Sequence, residues 1–369
     1  MPTQLGVVGF VPNSLPPNFS LDVEAVQLLA EAQLALGELR GVGVVVPNPE
    51  LVTGPLLSRE ARYSSEIEGT FASAEDMAIA GADPTARAGR PDTLEVLRYR
   101  EALEASLRRL KTDKPSLDLL RNAHRSLFGM SGEPWKTPGE FRTIQNRIGN
   151  RSDDPPERAR FIPPPPGEVN NGLDELMAYV NRSDEHPPLV RIAFVHYQFE
   201  TIHPFIDGNG RVGRLLIVLL MSHWKLLEQP TLQLSHYLSV HKAEYVDGLL
   251  AVSQRGEWLA WVKFFLTAVA TQAADSVQRS KKLWALREDF RKRVQVAGGS
   301  ARLVQLVDEL FIQQAQTGPW VAWKLGVSDP TGYSYLDRLE KLGIVQKVAL
   351  RVGKYKIIYL AREVLDLSK

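Results

Sequence analysis

Two apolar helical stretches enclose a segment that a hydrophobic core has no use for. PLVRIAFVHYQFETI, residues 188 to 202, puts Ile192, Val195, Phe199 and Ile202 on one helical stripe. LLIVLLM at 215 to 221 reads as a buried core helix, far short of the roughly 20 residues of a membrane span. Between them runs HPFIDGNGRVGR, residues 203 to 214, with one imidazole, one carboxylate, three glycines, an asparagine and two arginines. The chain must therefore form a helix–loop–helix whose connection is rich in polar chemistry.

Helical spacing continues elsewhere, in LDVEAVQLLAEAQLALGELR from Leu21, at 93 to 111, at 115 to 129 and around 260 to 293. Pro55 and Ser58 open a further helix, SREARYSSEIEG, which Gly69 ends. The texture changes at GEFRTIQNRIGNRSDDPPERARFIPPPPGEV. Thr143 to Ile148 and Ala159 to Ile162 read as a β-hairpin with a stiff proline exit, or else as an ordinary surface loop. After the glycines at 298 and 299, three helices and two strands around an Arg-Val-Gly-Lys turn predict a winged helix-turn-helix. The expected fold is mainly α with a small β-hairpin and this C-terminal domain, divided at 1–100, 101–297 and 298–369.

Composition narrows the partners. Lysine and arginine number 44 against 43 acidic residues, so no bulk charge draws the chain to nucleic acid or membrane. Cysteine is absent, which removes disulfides, thiolate metal sites and a cysteine nucleophile. The N-terminus, broken by prolines, is a poor signal peptide, and a cytoplasmic protein is expected.

Gly208 to Gly213 matches G-x-G-x-x-G, but the run before it is helical and no strand with an acid follows, so a dinucleotide fold fails. A calcium loop fails as well, with Arg211 and Val218 where oxygen ligands belong. An anion site remains. Glycines let successive amides converge, and a helix from about Arg211 adds its positive end. Arg211 and Arg214 share a helical face and can grip phosphate oxygens. Asp207 would repel phosphate without an intervening cation, which implies Mg²⁺. His203 suits general-base work. The alternatives are a well-bonded helix junction, or Glu200 and His203 as a metal pair.

The segment resembles the signature of the Fic family, His-x-Phe-x-Asp/Glu-Gly-Asn-Gly-Arg-x-x-Arg, with every fixed position met. PGEFR at 138 to 142, the hairpin ending in FIPPPP, and AEYVDGL at 243 to 249 also look family-like. The resemblance implies a Fic-type helical core and an enzyme that transfers AMP from ATP to a hydroxyl of a target protein, which can be the chain itself. His203 would be the base and Asp207 the Mg²⁺ ligand. Gly208, Asn209 and Gly210 would cradle the phosphates that Arg211 and Arg214 bind. Phe205 would anchor the core, the hairpin would clamp the target, and Tyr245 would line the nucleoside pocket. SSEIEG at 64 to 69 resembles the family's inhibitory motif, in which Glu68, one turn from Ser64, would pair with Arg214. The rival reading is a nucleotide-sensing regulator that binds DNA through the winged helix. Asp329, Asp337 and Glu340 in its recognition helix argue against DNA, while Lys347, Arg351, Lys354 and Lys356 make the wing basic, so a DNA or protein partner stays open there. A second copy of the chain is kept as a partner.

Overall fold

A computed structural model describes residues 1–45, 48–82, 91–129, 134–149, 155–352 and 354–368, with the backbone alone at 44, 45, 134, 156, 350–352 and 354–356. The helices are α1 Val23–Val45, α2 Glu50–Ile67, α3 Ala74–Ala82, α4 Pro91–Leu110, α5 Leu117–Phe128, α6 Pro166–Asn181, α7 Pro188–Ile202, α8 Asn209–His223, α9 Leu234–Val240, α10 Lys242–Arg255, α11 Trp258–Val296, α12 Ala301–Ile312, α13 Gly318–Leu325, α14 Asp329–Lys341 and α15 Arg362–Leu367. The strands are β1 Ala315–Gln316, β2 Gln346–Val352 and β3 Lys354–Leu360. Among the described residues no helix is long and apolar enough to cross a membrane.

Two compact units result. The first comprises residues 1–36, 98–228 and 237–271. Its centre is α7 and α8, whose apolar residues are buried on nearly every face: Ile192, Phe194, Val195, Phe199, Val212, Leu215, Leu216 and Leu219 are all essentially inaccessible. A helix apolar all round belongs inside a bundle, and α5, α6 and α10 supply the surrounding layer. Ser116 caps α5 by accepting from the Leu119 amide at 3.2 Å. The expected hairpin is present as a single antiparallel bridge, Ile148 with Phe161. Beside it, the side chains of Arg142, Gln145 and Asn146 donate to main-chain carbonyls of His203, Pro163 and Phe205.

The second unit comprises 37–97, 229–236 and 272–369. Its core joins Leu51, Val52 and Leu56 of α2 to Phe290 and Val294 of α11 and to Leu303, Leu306 and Leu310 of α12. The last 70 residues run helix, strand, helix, helix, strand, strand, helix, with sheet order β1-β3-β2, all antiparallel. Val348 faces Ile358 and Lys347 faces Tyr359 across β2 and β3. Helix α2 begins at Glu50, earlier than the proline predicted, and Pro55 lies inside it. Proline in the second turn removes one amide donor but does not break a helix that packing holds. Gly69, at φ 88°, ends the helical segment as expected.

Candidate functional site

The 203–208 connection is held in an unusual conformation by groups from four directions. His203 follows α7 at φ 51° and ψ 61°, left-handed backbone that costs a non-glycine residue about 1–2 kcal/mol. Its amide still bonds the Phe199 carbonyl at 3.0 Å. Its own carbonyl accepts from Arg142 Nε at 2.8 Å and Asn146 Nδ2 at 3.3 Å. Arg142 is 3 % exposed and also donates to the carbonyls of Pro164, Ile202 and Ile144. Burial lowers its pKa to about 10, so it stays charged and clamps the loop by carbonyls alone.

Beyond the bend, Phe205 is buried, and Asn209 pairs with it as a strand would: Oδ1 accepts the Phe205 amide at 2.8 Å and Nδ2 donates to the Phe205 carbonyl at 2.9 Å. His124 stacks on Phe205 at 3.9 Å. Its Nδ1 accepts the Gly139 amide at 2.8 Å, so Nε2 carries the proton and donates to the Asp207 carbonyl at 2.9 Å. Burial lowers the His124 pKa to about 4, so the ring is neutral. Gly208, at φ 79°, starts α8, and a Cβ there would sit 2.4 Å from Phe128 Cε2. No other residue meets both demands.

The chemical groups converge on this frame. His203 Nδ1 stands 3.2 Å from the Glu200 carbonyl, which only accepts, so Nδ1 holds the proton and the Nε2 lone pair is the basic one. Asp207 Oδ1 accepts the Gly208 amide at 2.6 Å, and Oδ2 lies 3.2 Å from Lys136 Nζ. Arg211, one turn into α8, reaches 3.9 Å from Asp207 and lies 4.9 Å over the Phe128 ring. Arg214, on the same side one turn later, is 2 % exposed. Gly208 brings no side chain to cap α8, whose first amides point along the helix axis beside Asp207. Gly213 packs closely under Glu200, whose carboxylate end would have to move to admit a Cβ at that position.

Tyr245 of α10 is buried, with its hydroxyl 2.8 Å from His196 Nε2 and the two rings nearly parallel. Burial, and then the Arg214 cation, lower the His196 pKa to about 3. In the second unit Ser64 is fully buried in α2, whereas Glu68 is exposed, one residue past the helix end. The side chains of Arg351, Lys354 and Lys356 lie outside the described residues. Lys136, His124, Arg142 and Asn146 were not picked out as functional residues by sequence spacing.

Asp207 also bears on whether Mg²⁺ belongs here. Its carboxylate is 38 % exposed and offers a hard oxygen donor. Mg²⁺ is typically held by one or two carboxylates and completed by water and phosphate. The residues fit it in that role, and among those described no group of three or more His, Asp or Glu forms a metal cage.

Family models match on both sides of this geometry: the Fic/DOC family over residues 114–221, which includes the whole 203–214 segment, and the Fic/DOC family N-terminal region over 26–108. The chain belongs to the Fic/DOC family. It is 34 % identical over 123 residues to the protein adenylyltransferase fic-1 of Caenorhabditis elegans, covering 32 % of this chain and 22 % of that protein. It is 29 % identical over 182 residues to the protein adenylyltransferase Fic of Culex quinquefasciatus, covering 48 % and 31 %. The chain thus spans less than a third of these relatives. Among solved structures, a Fic family protein from Desulfovibrio desulfuricans superposes with a TM-score of 0.60 at 21 % identity, over 94 % of this chain and 98 % of that one. A Fic domain containing signaling protein from Bacteroides thetaiotaomicron gives 0.50 at 18 %, over 70 % and 96 %. These two likenesses are of fold.

Proposed function

We propose that this Fic/DOC protein is a self-inhibited protein adenylyltransferase, moving AMP from ATP to a Ser, Thr or Tyr hydroxyl. The observation that carries the reading is the His203 tautomer: Nδ1–H on the Glu200 carbonyl leaves Nε2 as the basic nitrogen, in the connection that leads into α8. His203 Nε2 takes the hydroxyl proton, and the oxygen forms its bond to the α-phosphorus. The bond from that phosphorus to the bridging oxygen breaks, and pyrophosphate leaves. The Gly208 amide holds Asp207 Oδ1, so of the glycine turn it is the amides at Asn209 and Gly210 that receive the phosphates, and Arg211 and Arg214 bind the β- and γ-phosphates. Asp207 would hold Mg²⁺, which when bound offsets phosphate charge. The names of the relatives as adenylyltransferases support this reaction. The segment 143–162 presents Ile144 at 58 % exposure, an apolar side chain suited to holding a target strand.

The same reading makes Glu68 inhibitory, Ser64 its partner in the motif, and Tyr245 part of the nucleoside pocket. Residues 298–369 would act as a winged helix-turn-helix that engages a protein in preference to DNA. Asp337 in α14 accepts from Tyr359 at 2.5 Å and Lys347 at 3.3 Å, so one basic group of the wing is already neutralised. The cytoplasm, where ATP is abundant, is the compartment proposed for the chain, and a homodimer the assembly. Intact-mass analysis after incubation with ATP and Mg²⁺ tests the function. A gain of one AMP is expected, and no gain on the chain or on any added protein, with any nucleotide, would overturn it.

A further inference from the structure

Lys136 lies outside the signature segment, and no role above uses it. It closes a 3₁₀ turn, Pro134–Lys136, and the next residue, Thr137, sits at φ 43°. A β-branched residue at positive φ is strained, by about 1–3 kcal/mol, and persists only where its surroundings fix it. Here they do. Arg121 Nε donates to the Gly139 carbonyl at 2.8 Å, and the Gly139 amide donates to His124 at 2.8 Å. The same imidazole donates to the Asp207 carbonyl at 2.9 Å, so one ring sets the strained turn in register with Asp207. The result is an ammonium with 7 % residue exposure, 3.2 Å from Asp207 Oδ2 and 4.8 Å from the centre of the Phe128 ring.

We propose that Lys136 is a positioning residue of the nucleotide site: its ammonium is the resting counter-charge of Asp207, displaced by a divalent cation and passed to phosphate oxygens of the nucleotide. The inference rests on Asp207 being the metal-holding residue. Oδ1 already accepts the Gly208 amide, so Oδ2 is the oxygen that ammonium and cation contest. Two cations at one oxygen repel each other, and a buried ammonium needs an anion in exchange. The polyphosphate brings that anion with the metal.

The test measures Mn²⁺ binding by electron paramagnetic resonance on the full chain without nucleotide, Mn²⁺ sharing the preference of Mg²⁺ for oxygen. Lys136→Met tightens binding by at least about fivefold, ~1 kcal/mol. Lys136→Arg, which keeps the charge, leaves it at the wild-type value. Adding Asp207→Asn to Lys136→Met removes the gain. The KM for ATP rises severalfold in Lys136→Met, beyond any fall in kcat. Mn²⁺ affinity unchanged or weaker in Lys136→Met, or undetectable in both proteins, would overturn the proposal. Detection in the variant alone counts as tightening. A gain that survives Asp207→Asn defeats the metal reading of Asp207 itself. Should Lys136→Met fail to fold, Lys136→Gln carries the same comparison.

Discussion

Both units bury arginines and carboxylates, and they use them in opposite ways. In the second unit Arg59, 1 % exposed, donates to Gln233 at 3.0 Å and lies 3.5 Å from Asp275. Glu60 accepts from the Ser235 amide at 3.0 Å, and Arg62 donates to the Ala72 and Ser368 carbonyls at 3.2 and 3.0 Å. Each of these groups ties α2 to another segment of the same unit, and the bonds are structural. In the first unit the charged groups stand along a strained turn, around a carboxylate that solvent reaches. Charge matched on every side fixes a helix, whereas charge left open on one side is available to a ligand.

The sharpest break of this contrast is His203→Ala. Removing a general base lowers transfer by about 10²- to 10⁴-fold while phosphate binding stays largely intact. Labelled-ATP incorporation and nucleotide affinity measure the two separately, and full activity in the variant removes the base assignment.

Acid should separate the units next. His124 and His196 are buried and neutral in the first unit, with pKa values of about 4 and about 3 against 6.5 for an open histidine. Because the unfolded chain takes up more protons, their stabilisation is complete above about pH 6.5 and falls towards pH 4, by a few kcal/mol. In the second unit the depressed histidine is His236, which is half-buried, with a pKa of about 4. Hydrogen exchange read by segment should show 188–223 losing protection before 301–341 as pH drops. The reverse order would contradict the neutral histidines.

Glu68 tests the second unit's influence on the reaction. Glu68→Gly raises transfer at least about tenfold, which corresponds to ~1.4 kcal/mol, if its carboxylate restrains Arg214. Adding Arg214→Ala then erases the gain. No increase in the single variant makes Glu68 an ordinary exposed glutamate, and a gain that survives Arg214→Ala places the restraint elsewhere. Ser64 lies in, and Glu68 just past the end of, a helix whose Leu51, Val52 and Leu56 belong to the same core as α12, so the C-terminal segment supports the motif.

The sequence displayed some of this and concealed the rest for identifiable reasons. The loop 203–214 was legible because so many glycines and charged groups in twelve residues are foreign to the apolar helices on either side, and α7 and α8 because their apolar period is unbroken. Arg142, His124 and Lys136 were not, since they lie 61 to 83 residues from the groups they touch and their spacing has no period. Helix α6 was hidden by the proline run before it, although Pro166 at its first turn is a helix-start signal. Strand β1 is two residues long, too short to show alternation.

Tyr245 offers the smallest and finest test. The resemblance assigns it to a nucleoside pocket, while its hydroxyl lies on buried His196 at 2.8 Å and its ring faces Trp261 at 6.1 Å. Tyr245→Phe keeps the ring and removes only that hydrogen bond. The loss should be ~1 kcal/mol of stability, or about 2–4 °C in the melting temperature of a unit this size. The KM for ATP should stay within about twofold, because ~0.4 kcal/mol of binding is all that factor represents. Tyr245→Ala removes the ring as well, and a severalfold rise in KM there, absent in Tyr245→Phe, would place the ring against the nucleoside and the hydroxyl in the fold. A KM rise in Tyr245→Phe at unchanged melting temperature would reverse that division, giving the hydroxyl to the nucleotide and leaving His196 with another partner.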